Sequence, residues 1–549
     1  MSHEQSAEIP KLNGSSSRWL ALVFALVMGL AAAPLHAQFT FVDEYEFNCA
    51  TGGCYPSDNG QLTQGSDGNL YGTAPAGGTH AFGTTFTVTT SGAYTDQWAF
   101  DGLTGEQPDA ALTLASDGNF YGTAAFGGTN NNGTLFRFTP PSTVTVLHSF
   151  TTAEGVPEAP PIQGKDGNLY GVTNSAVAYS VTLTGTYKQL SPAPGSVEAP
   201  LLLASDGNLY GTALTGGTNS DGAVFRMSTP GGAIKVIHNF TGIDGSRPVG
   251  PLAQASDGNL YGTTFAGGPN NNGEVFKMTL AGKITVLHTF DVNGVSDGEF
   301  PDAGLLAASD GYLYGVNGSG GADTVGTLFR ITTSGIFTKL FDFTDVGGSV
   351  PGAYAGTTLM QHTNGNLYGL AYRGGASDNG TFFSLFAPNL IQILKVSGPI
   401  FVLPGGPVQI LGNNLTHAIF VNFGSVQAQF QPGTDNYLTA TVPNAAVDSV
   451  ISVTYDTGLQ TQTLMSVHIL PKITNLDPPS GSVGTVVNIT GGGFTGAKKV
   501  TFGGVAAENF TVLSPSLIQA TVPTGAKTGR VKVATPNGSA TSPMKFTVI

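Results

Sequence analysis

The residues best suited to bind a ligand lie in loops rich in asparagine and acidic side chains. Amide and carboxylate groups there can hold sugar hydroxyls or a calcium ion, because both need oxygen ligands or hydrogen-bond partners. The same residue types also occur in loops only because they tolerate tight turns, and this second interpretation stays open. The predicted ligand-binding residues are Asn130, Asn131, Asn132, Asp221, Asp244, Arg247, Asn270, Asn271 and Asn272.

Three histidines, His148, His238 and His288, recur at one position of a repeated unit and suggest a ring of metal ligands. Other units carry Tyr45, Trp98 and Phe341 at this position. Tyr, Trp and Phe do not bind a divalent metal as imidazole does, whereas all four residue types pack as flat rings. We therefore predict a packing position here and no metal site.

No catalytic residue is predicted, because the sequence lacks a Gly-x-Ser-x-Gly elbow, a phosphate-binding loop and a His-Glu-x-x-His motif. A repeated Asp-Gly-Asn string offers a carboxylate that calcium could use. The string lacks the alternating oxygen ligands of tight calcium sites, so its Asp is expected to accept hydrogen bonds from its own turn. No cofactor is predicted, and calcium is the alternative.

The charge balance excludes one class of partner. The 549 residues include 35 acidic and 21 basic side chains, which give a formal net charge of −14. A nucleic-acid-binding protein needs a dense Lys and Arg surface to displace counterions from phosphates. Nucleic acid is therefore excluded as a partner, and an anionic membrane surface is disfavoured for the same reason.

The first 37 residues have the pattern of a signal peptide. Lys11 and Arg18 precede an apolar run at residues 19–33, and Ala37 provides a small residue for cleavage. The run is shorter than the roughly 20 residues that span a bilayer, so we expect export and no membrane span after cleavage. The protein is then periplasmic, cell-surface or extracellular. In such an oxidising compartment Cys49 and Cys54 are predicted to form a local disulfide.

One string, Asp-Gly-Asn-Leu-Tyr-Gly, organises the chain up to about residue 389. Each copy lies among four short runs rich in β-branched and aromatic residues, which predict four strands per unit. Asp-Gly and Gly-Asn tolerate the positive φ of a tight hairpin between the first two strands. Four strands in about 50 residues are typical of one blade of a β-propeller. The seven copies, some of them degenerate, start at Asp67, Asp117, Asp166, Asp206, Asp257, Asp310 and Asn364.

The two ends of this region complement each other. Residues 39–47 align with the fourth strand of a unit, whereas the last unit stops at its third strand, residues 381–386. Pairing these two segments would close a ring and remove exposed sheet edges. We predict an all-β fold with a seven-bladed β-propeller at residues 38–389, and an open β-solenoid is the alternative.

The repeated strings resemble the GloVer tandem repeat of exported bacterial proteins over about residues 39–387. The third unit departs most from the pattern, since residues 174–179 lack the Gly-Gly-Thr-Asn loop. The resemblance implies export and a propeller-like fold, and it implies no defined reaction.

Two small β-sandwiches are predicted after the repeats, because short alternating strands recur there at about ten-residue spacing. Residues 471–549, with the runs 486–494 and 518–523, resemble an IPT/TIG domain, an immunoglobulin-like module. Residues 390–470 look like a degenerate second copy. The resemblance implies spacers or interaction domains, and a stiff spacer is the preferred interpretation.

The longer connections of each unit, between strands two and three and between strand four and the next unit, should share one face of the ring. Loops held on a rigid scaffold are where binding residues concentrate. We therefore predict an exported, non-catalytic binding protein whose loop face takes an extracellular glycan or protein. The alternative is a propeller enzyme, a lyase or glycoside hydrolase acting on polysaccharide. Arg247 and Glu299 are irregular residues of that face.

Overall fold

The computed structural model describes residues 39–56, 61–291, 297–387 and 389–549. In these ranges the chain forms β-strands and one 3₁₀ turn at Leu415–His417, which confirms the predicted all-β fold. No helix in the described ranges has the length and apolar character needed to cross a membrane. The predicted signal peptide, residues 1–37, lies outside the described residues.

Seven antiparallel four-stranded sheets occupy the described part of residues 40–386, one for each copy of the repeated string. We number them in the order of the strings. The strands are Thr63–Gln64, Leu70–Ala74, Thr84–Val88 and Tyr94–Ala99 in sheet 1; Thr113–Leu114, Phe120–Ala124, Thr134–Thr139 and Thr143–Ser149 in sheet 2; Ile162–Gln163, Leu169–Val172, Ala178–Val181 and Tyr187–Gln189 in sheet 3; Leu202–Leu203, Leu209–Ala213, Ala223–Met227 and Ile234–Asn239 in sheet 4; Ala253–Gln254, Leu260–Thr264, Glu274–Met278 and Ile284–Thr289 in sheet 5; Leu306–Ala307, Tyr312–Asn317, Thr327–Thr332 and Phe337–Asp342 in sheet 6; and Met360–Gln361, Leu367–Ala371, Thr381–Phe386 and Thr40–Glu46 in sheet 7.

Sheet 7 contains strands from both ends of the repeat region. Thr40–Glu46 runs antiparallel to Thr381–Phe386, with Thr40 opposite Phe386 and Glu46 opposite Thr381. The predicted pairing of the first segment with the last unit is therefore confirmed. The predicted disulfide between Cys49 and Cys54 is also present, with the sulfurs 2.07 Å apart, in the loop that follows this strand.

The repeated string is explained by contacts within each sheet. In sheet 4 the Asp206 carboxylate accepts hydrogen bonds from the backbone N–H of Asn208 at 3.0 Å, from its side-chain amide at 2.8 Å and from the Tyr210 hydroxyl at 2.8 Å. The expectation that this Asp serves its own turn is therefore confirmed. The closing Gly211 is required because a Cβ there would lie 2.5 Å from the ring of Phe225 on the third strand.

Neighbouring sheets are joined by glutamines at the ends of their first strands. Gln163 of sheet 3 accepts a hydrogen bond from the Ser116 N–H at 2.9 Å and donates one to its hydroxyl at 3.0 Å. Gln254 bonds Ser205 in the same way, and Gln361 bonds Ser309. Sheets 7 and 1 are joined by Gln64, whose amide donates to the Thr363 hydroxyl at 2.7 Å.

Two β-sandwich modules follow the repeats, each around its own apolar core. In the first, the strand Val426–Thr434 pairs with one neighbour through its first residues and with another through its last, so that seven strands form a continuous sheet, and a parallel pair completes the module. The first module contains Lys395–Val396, Phe401–Val402, Pro407–Leu411, Ala418–Phe423, Val426–Thr434, Tyr437–Thr441, Ile451–Tyr455, Gln460–Gln462 and His468–Ile469; the second contains Lys472–Asp477, Ser480–Gly481, Val486–Gly492, Lys499–Phe502, Val505–Ala506, Phe510–Ser514, Leu517–Thr521, Gly529–Thr535 and Gly538–Val548.

The first module is docked on the repeats. Its Asn436 side chain donates to the Asp67 carbonyl at 2.7 Å, and its Phe401 ring lies under the Lys165 ammonium at 5.8 Å. Both repeat residues belong to the tight turns between first and second strands, so the module covers that end of the repeat region. The first module thus packs against the sheets instead of extending from them, and the spacer role of the two modules stays a prediction.

Candidate functional site

The loops between strands two and three and the loops that enter the next sheet lie together, as predicted. Isolated bridges join them, for example Ser246 with Ala266 and Ala353 with Arg373. We call this end of the repeat region the loop face. The opposite end carries the tight turns and the first sandwich module.

The first asparagine-rich loop is held to its own sheet. The Asn130 side chain donates to the Ser149 carbonyl at 3.1 Å, and the Asn132 side chain donates to the Thr151 carbonyl at 3.0 Å. Asn131 between them has a φ of 52°, which Asn tolerates better than most residues. These contacts support the turn-geometry interpretation of the loop.

The second such loop repeats the arrangement in sheet 5. Asn270 donates to the Phe290 carbonyl at 2.8 Å, and Asn272 donates to the Asp291 carbonyl. Asn271 has a φ of 58° and accepts a hydrogen bond from the Gly267 N–H at 3.1 Å. The side chains of both loops therefore stabilise the loop face, and direct contact with a ligand stays a prediction for them.

Asp244 has structural partners on both of its oxygens. Oδ1 accepts hydrogen bonds from the Thr241 N–H at 2.9 Å and hydroxyl at 2.8 Å, and Oδ2 lies 2.9 Å from His238 Nε2. His148 pairs in the same way with Glu154, and His288 with Asp297. The sequence analysis missed these pairs, although an acid follows each histidine by six or nine residues.

The histidines occupy a packing position, as predicted. The His148 ring stacks on Tyr187 with centroids 3.8 Å apart, and the His288 ring stacks on Phe337 at 4.0 Å. In the described part of the chain, no three His, Cys, Asp or Glu side chains are grouped so that they could hold a metal ion.

Arg247 and Asp221 are brought together by the backbone. The Arg247 N–H donates to the Asp221 carbonyl at 2.8 Å, while the Arg247 carbonyl accepts from the Phe265 N–H at 3.0 Å. These bonds hold Arg247 at a φ of 54°, a conformation that costs a non-glycine residue about 1–3 kcal/mol. Arg247 is exposed, and its guanidinium lies 4.8 Å from the Phe265 ring centre.

The same backbone position recurs around the loop face with different side chains. Each of its residues has a φ between 51° and 54° and an N–H bonded to a loop of the preceding sheet. The sequence analysis identified only Arg247 among these five residues. A proline follows four of the five in the sequence, and this pattern could have revealed them. We call these residues the rim residues: Tyr55, Gln107, Arg247, Phe300 and Tyr354.

Four carboxylates lie in the loops that enter sheets 2, 3, 4 and 6, and we call them the mouth acids: Asp109, Glu158, Glu198 and Asp302. Asp109 and Asp302 each follow a rim residue by two positions. Glu198 and Asp302 line a narrow recess with Pro200, Pro251 and Thr358. Burial raises the pKa of Asp302 to about 6, and the charge of Arg247 opposes that shift. Burial also raises the pKa of Glu198, and the negative charge of Glu158 adds to the effect. The loop face is therefore acidic at its centre.

The Gloeobacter/Verrucomicrobia repeat model matches residues 32–184 and 197–396, more than half of the chain. The chain belongs to this repeat family. The IPT/TIG domain model matches residues 471–548, as the sequence resemblance implied. Comparison with curated proteins gives no match.

Solved structures resemble this repeat-family chain only distantly. A fungal alcohol oxidase in complex with copper is 14% identical with a TM-score of 0.47, and 79% of this chain and 99% of that chain are covered. A surface glycan-binding protein of Prevotella bryantii is 19% identical with a TM-score of 0.19, covering 27% of this chain and 38% of that one. A gluconolactonase of Xanthomonas campestris is 11% identical with a TM-score of 0.37, covering 65% and 93%. Likeness at these TM-scores says nothing about the activity of this chain.

The first strands of all seven sheets of this repeat-family protein line one cavity of about 530 Å³, which we call the central cavity. Pro200, Pro251 and Thr358 border both this cavity and the recess of the mouth acids. At the end with the tight turns, residues 393 and 395–400 of the first module form part of the cavity wall. The cavity therefore extends from the mouth acids to the docked module.

Proposed function

We propose that this protein is an exported, non-catalytic binding protein whose repeat region is a closed seven-bladed β-propeller with its binding site on the loop face. Four observations support the closed ring: seven four-stranded sheets, the shared strands of sheet 7, the Gln64 bond between sheets 1 and 7, and first strands that all face one cavity. The segment 1–37 and the Cys49–Cys54 disulfide support export.

The main support for a binding role comes from the rim residues. Its backbone is repeated from sheet to sheet, whereas its side chains change from Tyr55 and Gln107 to Arg247. On a repetitive scaffold, residues that hold the fold recur in every unit, and a specific surface is built from positions that vary. The opposite end is covered by the first module, so the loop face is the end that remains for a large ligand.

Apolar loop tips favour a protein as that ligand. Leu103, Ile243 and Val346 are 72%, 81% and 54% exposed, and each lies in a loop that enters the next sheet. Aliphatic side chains gain free energy when a partner covers them, about 25 cal/mol per Å² of apolar surface. With the mouth acids at the centre, these tips suit a partner that combines apolar and basic side chains.

A glycan is the second candidate, because the rim also offers aromatic rings. Tyr354 is 48% exposed, and Phe300 stacks on Phe265 with centroids 5.0 Å apart. Sugar rings pack on such surfaces, and the Arg247 guanidinium beside Phe265 could donate hydrogen bonds to hydroxyls.

Two exposed isoleucines at opposite ends of the repeat region provide a matched test. We expect Ile243→Asp on the loop face to weaken capture of the partner at least tenfold, and Ile336→Asp, in a tight turn and 67% exposed, to leave it within twofold. The protein without residues 1–37 would be immobilised and screened against secreted proteins and a glycan array. Affinities would be measured by surface plasmon resonance.

If Ile243→Asp and Ile336→Asp lose the same affinity for the partner, the binding site does not lie on the loop face and the proposal is contradicted. Polysaccharide turnover by the wild-type protein that Glu198→Gln abolishes would instead support the enzyme alternative. Binding confined to glycans and weakened by Tyr354→Ala would select the second candidate.

A further inference from the structure

A lysine of the first module reaches the central cavity from the end with the tight turns. The segment before it is held by the Ile391 N–H, which donates to the Ser309 hydroxyl at 3.1 Å, and by the Ile393 N–H, which donates to the Thr363 carbonyl at 3.2 Å. Beyond it, the Ser397 hydroxyl donates to the Ala115 carbonyl at 3.3 Å. The segment thus crosses from sheets 6 and 7 to sheet 2, and Lys395 lines the cavity between these anchors.

The Lys395 ammonium has no partner among the described residues. No hydrogen bond or ion pair reaches it there, and no described carboxylate influences its pKa, which burial alone lowers to about 8. Its titratable neighbour is His362, whose pKa is lowered to about 4 by burial and, in addition, by the charge of Lys395. At neutral pH the lysine is therefore mostly charged and the histidine is neutral.

The rest of the cavity wall is mainly apolar. Leu112, Leu201, Leu252, Leu305 and Met360 line it, one from each of five sheets. The four glutamines of the first strands also line it, but their amides are used in the bonds between sheets. The Lys395 side chain is half-buried, and a cation beside apolar walls gains more from pairing with an anion than a cation in bulk water does, because the local dielectric constant is lower.

We propose that the central cavity binds a small organic carboxylate, with the carboxylate on Lys395 and an apolar body against the leucine wall. A volume of about 530 Å³ lies in the range of small-molecule sites. The wall disfavours a small inorganic anion, because such an anion would lose part of its hydration shell here and the glutamine amides of the wall are already used in bonds between sheets. Lys395 lies at the end of the cavity away from the loop face, and the proposal does not depend on the partner proposed there.

Two probes that share a trifluoromethylphenyl ring and differ in charge distinguish a carboxylate site from a merely apolar cavity. We expect 4-(trifluoromethyl)benzoate to bind the full chain at least tenfold more tightly than 4-(trifluoromethyl)benzyl alcohol at pH 7, measured by fluorine NMR and calorimetry. The preference should shrink above about pH 8, where Lys395 loses its proton. Equal affinities for the two probes, or no binding of either at 10 mM, would overturn the proposal.

Substitutions test whether Lys395 causes the preference for the carboxylate probe over the alcohol probe. Lys395→Met should abolish the preference for the carboxylate while leaving binding of the alcohol, and Lys395→Arg should retain the preference. Lys188→Met, at an exposed position in sheet 3, is the matched control and should change nothing. Alcohol binding and near-ultraviolet circular dichroism report whether the Met variant is folded. A preference that survives in folded Lys395→Met would contradict the proposal.

Discussion

Replacing Glu274 by threonine should stabilise the protein, and the gain should be larger at pH 8 than at pH 5. Glu274 begins the third strand of sheet 5 and is 1% exposed. One carboxylate oxygen accepts a hydrogen bond from the Thr289 hydroxyl at 3.1 Å, and the other is buried without a partner. Four other sheets carry a buried threonine at this position: Thr84, Thr134, Thr327 and Thr381.

The pH dependence follows from the direction of the shift. Burial raises the pKa of Glu274 from 4.5 to about 7. Between these values the folded state keeps a proton that the unfolded state has lost, so stability falls as pH rises and the full penalty is present above about pH 7. A shift of this size corresponds to about 3 kcal/mol. Threonine cannot ionise and removes that penalty.

Urea denaturation of the wild type, Glu274→Thr and the isosteric Glu274→Gln at pH 5 and pH 8 would measure the effect. We expect both variants to gain about 2–3 kcal/mol more at pH 8 than at pH 5. Asp323→Asn, which alters an exposed acid of sheet 6, is the control and should show no such difference. Equal gains at the two pH values would show that ionisation of Glu274 does not limit stability.

Phe47→Ala is expected to destabilise the protein by about 3–5 kcal/mol, as much as the loss of any buried ring in the core. Phe47 follows the strand that joins sheet 7, is 1% exposed and lies 5.4 Å from the Phe86 ring of sheet 1. Its counterpart Phe150 is fully buried at the end of sheet 2. If the first strand pairs with the last unit in solution, Phe47→Ala and Phe150→Ala should cost similar free energies.

Denaturation midpoints of the two alanine variants provide this comparison. A nearly neutral Phe47→Ala beside a costly Phe150→Ala would mean that the first strand is detached. Deleting residues 39–47 should have a larger effect, since it leaves the Thr381–Phe386 edge unpaired and open to association. Concentration-dependent oligomers in light scattering would reveal such association.

Features that depend on neighbouring residues were predictable. The strands of each sheet follow from short apolar runs and the tight turn between them, and the Asp of each string bonds residues only two and four positions ahead. The local disulfide spans five positions. The pairing of the first strand with the last unit is a long-range contact, yet it was predictable because the end segments are complementary parts of one unit.

Contacts between units were not predictable in the same way. Gln163 and Ser116 are 47 residues apart, and nothing in the local pattern distinguishes a bridging glutamine from an exposed one. Six of the nine predicted ligand residues use their side chains in loop contacts: Asn130, Asn132, Asp244, Asn270, Asn271 and Asn272. The rim residues were mostly missed because a positive φ before proline is decided by the packing of the preceding sheet's loop.

The amino-acid sequence by itself determined the repeated four-stranded unit, the family, the complementary ends and the C-terminal modules, because each depends on local patterns that the chain repeats. Only the tertiary structure decided that the first module covers the end with the tight turns, that Lys395 enters the central cavity, and which loop side chains remain for a ligand. The physical reason is that these features depend on how rigid sheets and modules pack, and residues hundreds of positions apart have no shared local signal.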